Sequence, residues 1–284
     1  MKFSIIIPVY NEEKILEIVL DELKKVLSQK GHDPEIIVVD DASRDKTYDI
    51  AKSTGVKVLR HEKNYGYGAA LKTGIKAASN DVIAIIDGDG SYPANALPAL
   101  LEEMTDHDMV IGARIKKGVK MSFLRKIPKF ILKQLAQYLV NEKIPDINSG
   151  MRIFKKSLFE KYANILPDTF SFTLTITLAA ISSREKIKFI PIDYHKRHGR
   201  SKIRPLHDTL NFFMLIIRTI IFFNPLKVFL PLAIILIFAA AVITFYSYFV
   251  LGKFMDVTVT LLTIFGIQII VLGLITDLIN RKLK

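Results

Sequence analysis

Two stretches late in the chain constrain it most. Val228 to Gly252 and Val257 to Thr276 contain no charged residue. Each meets the roughly 20 apolar residues that a helix needs to cross a bilayer. Two buried core helices of a soluble protein are the alternative. Pro231 is compatible with a span, since helices in lipid accept proline near their ends. Only Lys253, Phe254, Met255 and Asp256 lie between the stretches, so a tight helical hairpin is expected. Lys227 precedes the first span, and Arg281, Lys282 and Lys284 follow the second. By the positive-inside rule both ends face the cytoplasm. The chain starts on a strand at Phe3 without a signal-peptide pattern, which assigns the first 225 residues to the cytoplasm as well.

Those residues alternate between apolar runs and amphipathic segments. The spacing predicts strands at Phe3–Val9, Glu35–Val39, Val56–Leu59, Val82–Ile86, Met109–Gly112, Ile153–Phe154 and Ile187–Asp193. Helices are predicted from near Asn11 to Gln29, then over Thr47–Lys52, Ala69–Ala78, Ala96–Met104 and Phe170–Ile181. In the first helix Glu12 and Glu13 would occupy the first turn, where negative charge is favoured. This strand–loop–helix repeat is the signature of an α/β fold: a mostly parallel, Rossmann-like sheet with helices on both faces.

In open sheets of this kind ligands gather beyond the C-terminal strand ends. Three polar clusters fall there: Tyr10-Asn11-Glu12, Asp40-Asp41 and Asp87-Gly88-Asp89. Two carboxylates at the end of a buried strand are costly unless their charge is compensated. A hard divalent cation shared with a diphosphate would compensate it; an acidic turn capping the next helix is the bland alternative. The run Gly66 to Gly74 resembles a phosphate loop but matches neither the dinucleotide nor the Walker spacing. Helix initiation and close packing account for it better.

No cysteine is present, so disulfides and thiolate metal sites are excluded. The formal charge is +12, most of it outside the hairpin. Arg114 to Lys133 carries eight Lys or Arg and no acid, interleaved with apolar residues. A second basic knot runs from His195 to Lys202, and Leu206 to Phe223 is apolar but interrupted by polar residues. Both basic amphipathic stretches suit a membrane interface rich in anionic lipid; a solvated basic face is the alternative for the first. No nucleic-acid-binding motif is present.

Taken together, IIIPVYNE (Ile5–Glu12), VVDDAS (Val38–Ser43), DGDGSYP (Asp87–Pro93), IGAR (Ile111–Arg114), DINSGMR (Asp146–Arg152) and HGRSK (His198–Lys202) resemble the family 2 glycosyltransferases. More narrowly, they resemble the polyprenyl-phosphate glycosyltransferases related to dolichol-phosphate mannose synthase. The resemblance covers Phe3 to about Lys202. It implies a GT-A-like catalytic domain over 1–202, an interfacial helix over 203–225 and a transmembrane hairpin over 226–284. It also implies that Pro8, Tyr10, Glu12 and Asp41 hold the nucleoside of a sugar donor. Asp87 and Asp89 would meet Mg or Mn and the diphosphate, with Ser91 at the third metal position. Arg114 and Arg125 would meet an acceptor phosphate. Arg197, Ser201 and Lys202 fit a loop that closes over the phosphates. Mannose synthases of this group often have Gln where this chain has Ser91. Serine offers a shorter, weaker oxygen, which favours neither a ligand at 91 nor mannose as the sugar.

The expected reaction is an inverting transfer of a hexose from GDP-mannose or a UDP-hexose to a dolichyl or undecaprenyl phosphate. An ionised lipid phosphate needs little general-base help; it needs positioning beside the anomeric carbon. Asp89, Arg114, Arg125 and Lys202 are the candidate catalytic residues. A hydroxyl acceptor, as in extension of a lipid-linked glycan, would need a carboxylate base, for which Asp146 is the candidate. Processive polymer synthases carry Q-x-x-R-W, and this chain has no tryptophan. A membrane-anchored nucleotide-sugar sensor without activity is the alternative of another class. A homo-oligomer is compatible with the sequence, which sets no stoichiometry.

Overall fold

The computed structural model describes residues 1–115, 143–169, 171–195, 217–253 and 255–283, with single positions at 134, 137 and 214. The chain divides into two units, Met1–Phe212 and Phe213–Lys284.

The first unit is built on one seven-stranded sheet of order β3-β2-β1-β4-β6-β5-β7. Its strands are β1 Ser4–Val9, β2 Glu35–Asp40, β3 Lys57–Arg60, β4 Val82–Ile85, β5 Met109–Ala113, β6 Arg152–Lys155 and β7 Ile187–Pro191. Pairings of β1 with β2 and β4, of β2 with β3 and of β5 with β7 are parallel. Only β6 runs the other way, antiparallel to β4 and β5. Every residue of β1 is buried, which explains its unbroken apolar run: both faces of the strand are covered.

One face carries α1 (Leu16–Gln29), whose Leu16, Val19, Leu20, Leu23 and Leu27 are buried at helical spacing. Leu16, Leu20, Leu23 and Leu27 join Ile5, Ile7, Val9 and Val38 in the hydrophobic core cluster, with Leu97, Leu100 and Leu101 from α4 (Leu97–Glu102). The opposite face of β1 and β2 meets α3 (Tyr67–Ala77), where Gly74 lies against Ile6 and Val39. Among the described residues of this unit, further α-helices are α2 (Thr47–Ser53), α5 (Lys156–Tyr162) and α6 (Phe172–Ser182). From Phe172 to Ile181, α6 is buried on every side.

One expectation fails at the first turn. The helix after β1 begins at Leu16, not near Asn11, so Glu12 and Glu13 precede it and Glu17 is the acid of its first turn. The reason is a zip between two loops. Asn11 has a left-handed backbone, φ 55°. The backbone N–H groups of Asn11, Glu12 and Glu13 donate to Ser43 Oγ, Thr47 Oγ1 and Asp45 Oδ2 at 2.9, 2.8 and 3.3 Å. In return Arg44 N–H donates to Asn11 Oδ1 at 2.8 Å. Donors that the helix would have left unpaired are satisfied by the neighbouring loop instead.

The second unit contains α7 (Leu226–Phe249) and α8 (Asp256–Leu283). Both are long and apolar enough to cross a membrane, with mean hydropathy 2.8 and 2.4 over their spans and only 11% of each span buried. Soluble core helices would be mostly buried. Gly266 lies against Ile237 and Gly273 against Phe229, small residues that let the two helices approach closely. Asn280, deep in the pair, donates to the Ile221 carbonyl at 2.7 Å. Positions 217–223 are helical; the rest of the stretch expected to lie in the interface falls largely outside the described residues.

Candidate active site

Because β1, β2 and β4 run parallel, their C-terminal ends open on one edge, and a cavity of about 470 Å³ lies there. That is the size of a small-molecule site. It is lined by Pro8, Val9, Tyr10 and Glu12 after β1, by Asp41 after β2, and by Asp87, Gly88 and Asp89 after β4; Asn64, Gly66, Tyr67 and Ala70 complete it. The structure therefore brings together six of the seven residues expected to bind the donor; Arg197, the seventh, lies outside the described residues.

Asp41 is held from several directions. Its Oδ1 accepts His61 Nδ1 at 2.7 Å and the Tyr65 N–H at 2.9 Å, and its Oδ2 accepts the Gly66 N–H at 2.8 Å. His61 Nε2 lies 2.9 Å from Thr73 Oγ1, so both ring nitrogens are engaged. Gly66 caps α3 with φ 105°, a conformation costly for any side chain, and its N–H reaches the carboxylate because of it. Position 66 thus supports the site through backbone geometry.

Asp87 accepts the Tyr67 hydroxyl at 2.8 Å on Oδ1. Burial, then the neighbouring Asp87 charge, pushes the Tyr67 phenol well above its ordinary range, so it remains a donor. On the other side Asp87 abuts Gly150, where any Cβ would collide with the carboxylate. Asp89 is 7% exposed, and its Oδ1 accepts both the N–H and the hydroxyl of Ser91, at 3.0 and 2.5 Å. Ser91, the candidate third metal position, is fully buried and spends its proton on Asp89. Two carboxylates lining that cavity form a hard oxygen set of the kind Mg or Mn takes together with diphosphate oxygens. The residues fit such an ion.

The reversed strand β6 supplies the facing side. Arg152, its first residue, pairs with Ile85 of β4 and Ile111 of β5, so the turn before it lies at the same edge. In that turn Asp146 accepts Arg114 Nε and N–H on Oδ2 at 2.6 and 3.1 Å, and Arg114 Nη2 and the Asn148 N–H on Oδ1 at 2.8 and 3.2 Å. The Arg114 guanidinium also sits over the Tyr194 ring, 5.1 Å from its centroid. Burial works against its charge, but the Asp146 carboxylate prevails and holds it above the ordinary guanidinium range. Tyr194 packs edge-on against Tyr92, whose hydroxyl accepts the Gly150 N–H at 2.5 Å. Tyr92 follows Ser91 directly. A continuous chain of contacts therefore runs from Asp89 through Ser91, Tyr92 and Tyr194 to Arg114.

Arg125, Arg197, Ser201 and Lys202 lie outside the described residues, as does most of both basic segments. The sequence reading missed His61, Tyr67, Tyr92 and the pairing of Arg114 with Asp146. Tyr67 stood inside the glycine run and Tyr92 inside the acidic motif, where their neighbours drew the attention. His61 and the Arg114 pair carried no spacing signal, since each partner comes from another strand.

Comparison with known proteins follows the same division. Glycosyl transferase family 2 matches residues 4–163, and the GtrB C-terminal hairpin matches residues 224–281. A dolichyl-phosphate hexose transferase of Haloferax volcanii is 28% identical over 204 residues, 71% of this chain and 86% of that protein. A dolichol-phosphate mannosyltransferase of Pyrococcus furiosus is 31% identical over 215 residues, 72% of this chain and 60% of that protein. A solved structure of glucosyl-3-phosphoglycerate synthase from Mycobacterium tuberculosis, in complex with Mn2+, uridine diphosphate and phosphoglyceric acid, shares the fold. It superposes with TM-score 0.61 at 20% identity, covering 77% of this chain and 78% of that one. From its strand-end motifs to its apolar hairpin, the chain belongs to glycosyl transferase family 2.

Proposed function

We propose that this protein transfers a hexose from a nucleotide-sugar to the phosphate of a membrane polyprenyl phosphate, with inversion at the sugar carbon. The observation that carries the reading is the juxtaposition of an acid-lined cavity with an arginine fixed across from it, in a chain that ends in a membrane hairpin. Several relatives carry names of enzymes that act on polyprenyl phosphates, among them a dolichyl-phosphate hexose transferase and a dolichol-phosphate mannosyltransferase, and these support the acceptor class.

Pro8, Tyr10, Glu12 and Asp41 bind the nucleoside, with Asp41 kept rigid by His61 and the backbone of Tyr65 and Gly66. Asp87 and Asp89 hold a divalent Mg or Mn, which neutralises charge on the departing diphosphate when bound. Tyr67 and Ser91 fix the orientation of those two carboxylates. Arg114 presents a permanent positive charge to the acceptor phosphate. Its Nε and Nη2 are committed to Asp146, and its Nη1 makes no hydrogen bond among the described residues. Arg125, Arg197, Ser201 and Lys202 complete the grip on the phosphates in this reading.

The state of Asp146 bears on the choice of acceptor. Among the described residues it accepts four hydrogen bonds, three of them from Arg114. A carboxylate so engaged is poorly placed to take a proton from a hydroxyl, which supports an acceptor that arrives already ionised. Residues 1–202 form the catalytic domain, 203–225 an interfacial helix and 226–284 the hairpin. The positive flanks of the hairpin support a cytoplasmic location for the domain and both ends.

The test is direct. Purified full-length protein is incubated with polyprenyl phosphate, Mg or Mn, and GDP-mannose, UDP-glucose or UDP-N-acetylglucosamine in turn. Mass spectrometry of the lipid should show one added hexose from one donor. Absence of any glycolipid across the three donors would overturn the reading.

A further inference from the structure

Arg152 heads the fully buried large side chains of this protein, with 0% exposure. All of its hydrogen-bond acceptors are neutral. Nε and Nη2 donate to the Ser149 carbonyl at 3.2 and 2.6 Å, and Nη1 donates to the Thr173 carbonyl and Thr177 Oγ1 at 3.0 and 2.9 Å. It forms no ion pair among the described residues. Burial depresses its pKa to about 10, which leaves it cationic at neutral pH. A buried charge without a contacting counter-charge is among the most costly arrangements in a fold, and an apolar side chain of similar volume would avoid that cost.

What the charge faces gives it a use. Asp146 and Asp87, both at the candidate site, are the carboxylates that interact with it electrostatically, while Tyr67 and Tyr92 remain neutral phenols. Its hydrogen bonds fix the Ser149 carbonyl, one residue from the Gly150 that abuts Asp87. Asp87 and Asp89 alone would attract a divalent cation strongly and repel a nucleoside diphosphate. A fixed positive charge that interacts with Asp87, held behind the turn that abuts it, shifts that balance toward the anion.

We propose that Arg152 is a positioning residue that acts through Asp87: its buried charge sets the balance between divalent cation and nucleoside diphosphate at the Asp87–Asp89 site. The inference rests on the donor-site reading above and goes beyond it, since Arg152 touches neither ligand.

The test uses full-length protein and separates charge from geometry. Arg152→Gln keeps a donor for the turn but removes the charge, whereas Arg152→Lys keeps the charge. Thr177→Asp leaves the arginine in place and sets a carboxylate of similar size against Nη1, so it carries the test alone if the glutamine variant fails to fold. The readouts are calorimetric affinity for GDP and UDP in EDTA, and the Mn2+ concentration that half-saturates nucleotide binding. In Arg152→Gln and Thr177→Asp the diphosphate should bind about fivefold or more weakly, while the Mn2+ requirement falls by a similar factor, as expected for one unit charge at an intermediate dielectric. Arg152→Lys should stay close to wild type. If both affinities fall together, or if lysine behaves like glutamine, the residue is only a structural lock and the proposal is wrong. If wild-type protein binds neither nucleotide, the donor-site reading itself fails, and that outcome is distinct.

Discussion

The parallel strands β3-β2-β1-β4 and the one reversed strand β6 reach the same edge of the sheet by opposite routes. In β3-β2-β1-β4 every strand runs toward the cavity and delivers the residues that follow it. Beside them β6 runs away from the cavity and delivers the residues that precede it. The chemistry differs accordingly. On the parallel side the acids are held without arginine or lysine among the described residues, Asp41 by His61 and two backbone N–H groups, Asp89 by Ser91. On the reversed side the acid Asp146 is spent on an arginine. In the proposed reading the first arrangement offers negative charge to a cation, and the second a pinned positive charge to a phosphate. A reaction that brings a phosphate nucleophile up to a nucleotide-sugar needs both, side by side.

The largest effect that tests this division is loss of the metal-side acid. Asp89→Ala should reduce transfer by at least about a hundredfold without lowering the melting temperature by more than a few degrees. Near-normal glycolipid production by that variant would remove the donor half from the chemistry. Next in size is the acceptor half. Arg114→Gln should lower kcat/KM for the lipid by roughly 10- to 100-fold and leave the donor KM nearly unchanged. A double-mutant cycle with Asp146→Asn should give a coupling energy of about 1–3 kcal/mol. Additive losses would mean that the pair does not act as a unit. His61→Ala should be milder, raising the donor KM by about three- to tenfold through a looser Asp41 while sparing the lipid KM. If the lipid KM moves instead, the assignment of the halves is reversed.

The smallest effect on activity is a control at the far edge of the same strands. Glu35, at the start of β2, accepts Ser4 Oγ, the Ser79 N–H and hydroxyl, and Lys57 Nζ. Partial burial raises its pKa, but these donors outweigh it and bring the value to about 2, below the ordinary 4.5. A depressed carboxylate contributes stability that is present above its unfolded pKa and is lost as pH falls toward the folded one. Wild type should therefore lose stability between about pH 4.5 and 2 more steeply than Glu35→Gln, as read from denaturant midpoints at each pH. Transfer at neutral pH should be unchanged.

The halves also differ in how far the sequence disclosed them. Val82–Ile86 and Phe3–Val9 are long apolar runs ending in polar clusters, and parallel strands convert that pattern directly into a site. The hairpin was equally plain, because uncharged runs of that length have few other fates in water. The direction of β6 was not legible: four residues hold no record of which way they pair. Glu12 and Glu13 matched a helix start, but side chains from the next loop capture their N–H groups, and no local pattern reveals that. Arg152 stood in a recognised motif without a role, because its significance lies in being buried among groups far along the chain.

Gly150 touches the carboxylate of Asp87, and four residues earlier the same turn holds Arg114 through Asp146. In the proposed reading one short stretch of backbone is therefore geared to both reactants. Any lengthening of that stretch would misalign cation and phosphate together, so changes in sugar or lipid preference have to be accommodated in other loops while this hinge-like link keeps its length.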